Sequence, residues 1–256
     1  MLSHRIIPCL LLSQSRGGLV KTLKFAKPKY VGDPINAVKI FNEKEVDELM
    51  VLDIDASREG RGPDFDLIDQ LASECFMPLC YGGGIRSAED ARTLFSLGVE
   101  KVCLQTSAYR RPEIIREIAE RAGQQAVVVS IDVTRSWLGK AQLHSASGVK
   151  PLPGDWREAV RNAVSAGAGE ILLTSVHKDG TLAGPDLELI EEASRIAEVP
   201  LIASGGVASL ADMRKATDAG ASAVAAGAFF VFHGPHRAVL ITYPRYEELR
   251  ALWSSL

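Results

Sequence analysis

The sequence has few cysteines and no long hydrophobic run. Four cysteines occur in 256 residues, and no two of them form a Cys-X-X-Cys pair. This argues against a disulfide framework or a metal site, so we predict reduced cysteines that pack in the core. No stretch approaches the roughly 18 apolar residues of a membrane-spanning helix, and the first residues lack the pattern of a secretion signal. We therefore expect a cytoplasmic protein without membrane contact.

The chain also lacks a strong excess of charge of either sign. Its 29 Lys and Arg residues against 32 Asp and Glu residues give a formal net charge of −3. Nucleic-acid binding usually requires a basic excess, so we predict no nucleic-acid partner. A local basic segment covers residues 21–29, and it is either a solvated loop or a loop that attracts anions. There is no linker or low-complexity stretch, which favours a single domain over residues 1–256.

What the chain does contain is an internal repeat. Gly83 and Gly205 lie in similar glycine-rich stretches 122 positions apart, and Gly98 and Gly220 recur at the same spacing. A period of this length indicates two copies of one architecture. Continuous apolar runs typical of strands buried on both faces occur at residues 6–12, 49–54, 78–81, 102–104, 126–131, 171–174, 201–203 and 223–226. Amphipathic segments typical of helices occur at residues 34–45, 66–75, 88–97, 112–122, 156–166, 187–197 and 210–219.

This alternation predicts an α/β fold with a parallel sheet covered by helices. The repeat and the number of strands favour a (β/α)8 TIM barrel built from two similar four-unit halves, with a doubly wound open sheet as the alternative. The length is close to the typical size of such a barrel. Long loops at residues 13–32 and 133–155 are predicted to serve as lids or binding loops. The second has room for a small hairpin at residues 141–144, before Gly148.

In a barrel, catalytic groups collect at the carboxyl ends of the strands. Polar residues predicted to lie there are Asp53, Asp55, Asp132, Thr174, Ser175, His177, Asp179 and Ser204. Asp132 ends an otherwise apolar run, which favours a functional acid or base over a structural acceptor for loop amides. For Asp53 and Asp55 the sequence supports both interpretations equally.

A turn suited to phosphate follows each of the last two strands of each half. Glycine lets backbone amides approach an anion closely, although tight turns need glycine as well. Matching turns in both halves predict a ligand with two phosphates, one on each side of the mouth. The turn residues are Gly82, Gly83, Gly84, Gln105, Thr106, Ser107, Gly205, Gly206, Gly227 and Ala228.

Charged residues stand directly before strand runs at four places. They are Arg5, Glu48, Lys101 and Glu170. These side chains form either a ring of ion pairs at the bottom of the barrel or ordinary solvated strand starts, and spacing alone slightly favours the solvated starts. A ring of buried ion pairs is a poor source of stability, so it would require a functional reason.

Together these motifs resemble the cyclase subunit of imidazole glycerol phosphate synthase, the HisF family. Residues 5–10, 82–86, 127–132, 167–175 and 202–206 carry the resemblance, which covers nearly the whole chain, and Asp179-Gly180-Thr181 is a highly specific part of it. It implies a glutaminase partner at the N-terminal barrel face and makes the charged ring an ammonia gate.

At the C-terminal face, the resemblance implies a phosphorylated small molecule, a bisphosphate, and no cofactor or metal. The ligand-binding residues it implies are Lys21, Gly83, Gly84, Gln105, Thr106, Thr174, Asp179, Gly180, Ser204, Gly205, Gly206, Gly227 and Ala228.

The chain departs from the family pattern at a catalytic position. The family uses two aspartates as general acid and base, and Asp132 is the second, but Leu11 occupies the place of the first and cannot transfer a proton. Gln105, His177 and Ala228 replace an asparagine, an acidic residue and a serine.

These departures resemble a branch associated with surface-polysaccharide loci, whose members supply ammonia for acetamidino modification of an amino sugar. That branch implies a separate sugar amidotransferase as a further partner. The alternatives are an ordinary histidine-pathway cyclase and a non-catalytic scaffold that activates its glutaminase.

Overall fold

A computed structural model describes residues 4–145, 152–234 and 236–254. Within these ranges, a closed barrel is formed by the parallel strands β1 (Arg5–Ser13), β2 (Leu49–Asp53), β3 (Leu79–Gly82), β4 (Lys101–Leu104), β5 (Val127–Arg135), β6 (Glu170–Ser175), β7 (Leu201–Ser204) and β8 (Ala223–Ala226). Each strand pairs with the next, and β8 pairs with β1, where Ala223 lies beside Arg5. The predicted (β/α)8 barrel is confirmed.

Helices cover the outside of the barrel. They are α1 (Pro34–Glu43), α2 (Phe65–Ser73), α3 (Ala88–Ser96), α4 (Thr106–Arg110), α5 (Glu113–Ala122), α6 (Trp156–Ala166), α7 (Leu187–Ser194), α8 (Leu210–Asp218), α9 (Ala228–Val231) and α10 (Tyr246–Ser254). Short 3-10 turns occupy Gln14–Arg16, Gln124–Ala126 and Val176–Lys178. The short α4 and α9 begin where turns were predicted, and α10 lies where no element was predicted. No helix in the described ranges is long and apolar enough to cross a membrane.

The long excursion predicted at residues 13–32 is present, and most of it is an antiparallel hairpin that the sequence did not predict. Its strands Gly18–Leu23 and Ala26–Gly32 pair with each other, and the first also pairs with the end of β1. The hairpin satisfies the backbone hydrogen bonds that a long excursion would leave to solvent.

The loop after β5 contains the hairpin strand predicted at residues 141–144. This strand, Ala141–His144, pairs antiparallel with the end of β5, and His144 lies opposite Asp132. Gly148 lies outside the described residues. A further short pair joins Phe232–His233 to Ala238–Val239.

Side chains alternate along each strand between two buried layers. Ile6 and Leu10 of β1 pack between the sheet and the helices, whereas Ile7 and Cys9 pack inside the barrel. Because both faces are covered, the middle of each strand is a continuous apolar run rather than an alternation of apolar and polar residues. The described cysteines are free, and Cys9, Cys80 and Cys103 all lie in the interior layer, as expected of packing residues.

The repeat seen in the sequence is also a repeat of backbone contacts. Gly83 has φ +119°, and a Cβ built on it would lie 2.4 Å from the carbonyl oxygen of Asp53. Gly205 has φ +102°, and its Cβ would lie 2.7 Å from the carbonyl oxygen of Ser175, which is 122 positions after Asp53. Both positions require glycine for close packing of the loops, whether or not they bind a ligand.

Candidate active site

A cavity opens at the carboxyl ends of the strands and brings together most of the predicted site residues. Those that line it are Lys21, Gly83, Gly84, Gln105, Thr106, Asp132, Thr174, Asp179, Gly180, Ser204, Gly227 and Ala228. Leu11 and Asp53 also line it. Gly205 and Gly206 do not belong to the described lining, and a Cβ built on Gly206 would lie 2.2 Å from the carbonyl oxygen of Gly184. The fold therefore assembles this site from seven of the strands and from the first hairpin.

Asp132 is the central titratable group of the cavity. It is 3% exposed, and its Oδ1 accepts a 3.0 Å hydrogen bond from Ser130 Oγ. Burial raises the pKa of this carboxyl to about 7, against hydrogen bonds from Ser130 and Thr174 that lower it. A carboxyl that titrates near neutral pH is suited to act as a general acid or base.

Gln105 fixes the position of the Asp132 carboxylate. Its Nε2 donates to Asp132 Oδ2 at 3.1 Å and to the carbonyl oxygen of His144 at 3.3 Å. Its Oε1 accepts a 3.0 Å hydrogen bond from Thr106 Oγ1. The side-chain amide is therefore held on both sides, and it links β4 to the hairpin that follows β5.

Leu11 and Lys21 occupy the wall of the cavity on the side of β1. Leu11 packs against the apolar interior layer and carries no group that can transfer a proton. Lys21 is 5% exposed, and its Nζ donates a 2.6 Å hydrogen bond to the carbonyl oxygen of Cys9. Burial lowers the pKa of Lys21. A Cβ on Gly227 would lie 2.6 Å from this Nζ, so glycine there makes room for the lysine.

Asp179 ties the first hairpin to the mouth of the barrel, a contact that the sequence did not predict. Its Oδ2 accepts hydrogen bonds from Thr22 Oγ1 at 2.7 Å and from the backbone N–H of Phe25 at 3.3 Å. Its carbonyl oxygen accepts a 3.0 Å hydrogen bond from Lys24 N. Burial raises the pKa of Asp179. These three hydrogen bonds hold the hairpin against the mouth of the barrel. The side chain of Lys21, which belongs to the hairpin, lines the cavity.

The two aspartates after β2 serve mainly as acceptors within their loop. Asp53 Oδ1 accepts from the backbone N–H groups of Asp55 and Ala56, each at 2.9 Å. Asp55 lies outside the described cavity lining and accepts from the hydroxyls of Ser13 and Ser15, each at 2.7 Å. Burial opposes its ionisation, but these hydrogen bonds outweigh that effect and lower the pKa of Asp55. The structural interpretation therefore applies to both residues.

Ser175 and His177 also lie behind the rim of the cavity. Ser175 Oγ is 3.1 Å from His177 Nδ1, and His177 Nε2 is 3.4 Å from Asp186 Oδ2. Neither residue belongs to the described cavity lining, and Ser175 is 3% exposed. These contacts hold the loop after β6 in place. The Ser175 hydroxyl, as a possible nucleophile, is therefore kept away from a ligand in the cavity.

The charged residues at the opposite end of the barrel form a closed ring. Arg5 pairs with Glu48 and, at 2.9 Å, with Glu170, while Lys101 pairs with Glu48 at 2.9 Å and with Glu170 at 3.2 Å. Glu48 is 1% exposed, and its Oε1 has no hydrogen-bond partner in the described part of the chain. The interpretation as solvated strand starts is wrong, because barrel closure turns all these side chains toward one axis.

Between the ring and the cavity lies an uncharged interior layer. It consists of Ile7, Cys9, Met50, Cys80, Cys103, Val128, Leu172, Ile202, Ala223 and Ala225. Its thiols are neutral at physiological pH, since burial raises the pKa of Cys9 to about 11. No group of three or more His, Cys, Asp or Glu side chains able to hold a metal occurs among the residues described.

Comparison with known proteins agrees with this architecture. Residues 5–235 match the family model described as "Histidine biosynthesis protein". The chain is 51% identical to "Putative imidazole glycerol phosphate synthase subunit hisF2" of Pseudomonas aeruginosa, over 97% of this chain and 99% of that protein. It is 47% identical to the corresponding subunit "hisF3" of Vibrio vulnificus, which bears the same qualified name, over 97% and 95% of the two chains.

A third relative bears the unqualified name "Imidazole glycerol phosphate synthase subunit HisF". This protein of Exiguobacterium sibiricum is 42% identical over 90% of this chain and 91% of its own. The family model covers most of the barrel and the identities exceed 40% over nearly full length. The chain therefore belongs to the HisF family of imidazole glycerol phosphate synthase subunits.

Proposed function

We propose that this chain is the ammonia-accepting barrel subunit of a two-component glutamine amidotransferase. The proposal depends on three features that follow one another along the barrel axis. A closed ring of ion pairs lies at one end, an uncharged interior layer lies in the middle, and Asp132 lies in an open cavity at the other end. Ammonia is small and neutral, whereas ammonium carries a charge. An uncharged barrel interior is therefore a better passage for ammonia than for ammonium. A glutaminase docked over the ring would supply ammonia directly to this passage.

Within that function, we propose that ammonia leaves the barrel to serve acetamidino modification of a sugar by a separate amidotransferase. Support comes from Leu11, which lines the cavity at the position where the family pattern has the first of its two proton-transfer aspartates. Loss of one such group typically costs about 10²–10⁴-fold in rate.

The second candidate is the cyclase of histidine biosynthesis itself. Asp132 is present with a pKa of about 7, which suits one half of the acid–base pair. The family name of the relatives also favours this activity. A scaffold that only activates the glutaminase is the third candidate, and it requires neither Asp132 nor the cavity.

Turnover of the ribulosyl-formimino bisphosphate substrate at high ammonium, without a partner, separates these candidates. We expect no turnover by the folded chain. Turnover at typical enzymatic rates, roughly 1–10³ s⁻¹, would establish the histidine-pathway cyclase instead. If turnover is absent, the glutaminase is added with the sugar amidotransferase. Amidination of the sugar that stops with an Arg5→Ala barrel supports ammonia passage, and amidination that continues unchanged supports the scaffold.

A further inference from the structure

Two large apolar side chains stand in solvent at the tip of the second hairpin, which is formed by the end of β5 and strand Ala141–His144. Trp137 is 92% exposed and Leu138 is 74% exposed. Tryptophan is largely buried in most folded chains, and adjoining exposed apolar side chains mark interaction sites. We propose that this tip, together with the lysines of the first hairpin, is the docking surface for the separate sugar amidotransferase. This inference rests on the proposed function, since it names where that partner binds.

Hydrogen bonds and ion pairs hold the tip in place. Ser136 N donates to the carbonyl oxygen of Lys140 at 2.9 Å, and Ser136 Oγ accepts a 3.1 Å hydrogen bond from Lys140 N. Below the turn, Arg135 donates to Asp186 at 3.0 Å and to Glu188 at 3.1 Å, which fixes the hairpin to the start of α7. The apolar side chains above these contacts are therefore presented by an ordered backbone, which lowers the entropy cost of binding a partner.

The tip projects beyond the mouth of the barrel. Trp137 comes five positions after Asp132 of the cavity, and an extended chain covers roughly 15 Å over that number of residues. The turn of the first hairpin reaches the same hairpin, since the ring of Phe25 packs edge-on against that of His144 with centroids 5.8 Å apart. The two hairpins therefore meet beside the open cavity, and a partner that contacts the tip lies at the exit of the proposed ammonia passage.

The surface around the two hairpins is positively charged. Exposed cations without an ion pair in the described part of the chain are Lys24, Lys27, Lys29 and Arg237. Carboxylates near them already have partners, because Asp179 holds the first hairpin, Asp186 and Glu188 bind Arg135, and Asp33 caps α1. A docking partner should therefore present an acidic surface around an apolar pocket.

This combination favours an enzyme partner over two other occupants. A second copy of this chain would place one set of cations against another, and like charges across an interface weaken binding. A bilayer also accepts tryptophan and lysine, but a bilayer over the mouth would leave ammonia without an acceptor. An enzyme with a pocket for Trp137 uses the apolar tip as an anchor, the usual role of tryptophan at the centre of an interface.

Binding of the purified sugar amidotransferase to the full chain, measured by biolayer interferometry without the glutaminase, tests this inference. Combining Trp137→Ser with Leu138→Ser should weaken binding by about tenfold or more. Phe76→Ser is the matched control, since Phe76 is 83% exposed between α2 and β3, at the opposite end of the barrel. It should leave this binding unchanged.

A second pair of variants tests the contribution of charge. Lys27→Glu, on the first hairpin, should slow association by about threefold or more and reduce its dependence on salt. Lys44→Glu reverses an exposed charge that follows α1, at the opposite end of the barrel, and should do neither.

An assay with the glutaminase added measures where the ammonia goes. In the double variant, glutamine hydrolysis should continue at the parent rate, because the ring and the interior layer are unchanged. A larger share of the ammonia should appear in solution and a smaller share in the sugar. Added ammonium should restore amidination, which distinguishes lost docking from a damaged amidotransferase.

The outcomes separate this inference from the proposed function. Equal binding by the parent and the double variant overturns the inference, as does no binding of the amidotransferase to the parent. Loss in the double variant of binding to phosphatidylcholine–phosphatidylserine vesicles, or of a dimer in sedimentation velocity, with amidotransferase binding unchanged, assigns the tip to a bilayer or to a second copy and also overturns it. If amidination still stops with the Arg5→Ala barrel, the proposed function survives each of these results. Amidination that is independent of Arg5 overturns the proposed passage instead.

Discussion

Gln105 donates a 3.1 Å hydrogen bond through Nε2 to Oδ2 of Asp132 and thereby holds a buried carboxyl whose pKa is about 7. Two opposing effects set the protonation state of Asp132. Burial favours the neutral acid, while hydrogen bonds from the Gln105 amide and the neighbouring hydroxyls favour the carboxylate. The balance leaves Asp132 able to exist in either form near neutral pH.

Asp132 should make the stability of the protein fall as pH rises from about 4 to about 7. Its folded pKa lies above its unfolded value, so the folded chain binds the extra proton in this window. Asp132→Asn removes the cost of ionisation and should raise the free energy of unfolding at pH 8 by up to about 4 kcal/mol, with little change at pH 4. Denaturant unfolding across this range measures the difference.

Asp55→Asn is the control with the opposite sign. The folded pKa of Asp55 is lowered, so its carboxylate stabilises the fold at neutral pH and loses that effect as the solution becomes acidic. This variant should be destabilised at pH 7, and the difference from the parent should shrink as the pH falls below the ordinary pKa of an aspartate, about 4. A stability difference between Asp132→Asn and the parent that is the same at every pH would contradict the raised pKa of Asp132.

The ring of ion pairs should couple its members more strongly than a surface pair. A double-mutant cycle of Glu48→Gln and Lys101→Met should give a coupling free energy of about 1–3 kcal/mol, because Glu48 is buried. The exposed pair Lys39 and Glu74, 3.2 Å apart, is the matched control and should give less than about 1 kcal/mol. Equal coupling in the two cycles, measured by chemical denaturation, would show that the ring is solvated in solution.

Gly180→Ala should release the first hairpin from the mouth. Gly180 has φ +67°, and an added Cβ would lie 2.1 Å from the carbonyl oxygen of Thr22. Gly139→Ala is the control, since Gly139 has φ +79° and nothing within 4 Å of the added Cβ. Both variants carry similar backbone strain, but only Gly180→Ala should increase hydrogen exchange at Lys24 N, which donates to Asp179. Equal hydrogen exchange at Lys24 N in both variants would show that Asp179 does not hold the hairpin against the mouth.

Leu11→Asp should create cyclase activity if the rest of the site still accepts the family substrate. The new carboxyl would face the same cavity as Asp132 and would restore the acid–base pair. We expect a gain of about 10²-fold or more in ammonium-dependent turnover. Leu52→Asp places a carboxyl elsewhere on the same cavity wall and should give none. Failure of Leu11→Asp in a folded variant would indicate that the cavity has diverged further and no longer accepts the family substrate.

Local sequence patterns were sufficient to predict the strands and most helices of the barrel. Strands buried on both faces are apolar at successive positions through their middle, and Ser87 and Ser209 cap helices as their residue type suggests. The first hairpin was missed for an equally local reason. Its turn places Lys24 and Phe25 at φ +54° and +59°, where glycine or asparagine is usual, so no turn signal was visible.

The sequence predicted most of the residues that line the cavity, but not the contacts that these residues make. Asp132, Thr174 and the first glycine turn line the cavity because they lie toward the carboxyl ends of barrel strands. Asp179 stays a predicted ligand-binding residue of the cavity lining, and the structure adds that its carboxylate accepts a hydrogen bond from Thr22 of the hairpin. That contact joins residues 157 positions apart, and no local pattern encodes such a pairing.

The sequence by itself determined the repeated β/α architecture, the apolar interior and the absence of an aspartate at position 11, because each depends on residue type and short-range periodicity. Only the tertiary structure decided that Arg5, Glu48, Lys101 and Glu170 form one ring and that the two glycine turns differ in access. The physical reason is closure: the pairing of β8 with β1 sets which side chains point inward and brings together residues that are far apart in the chain.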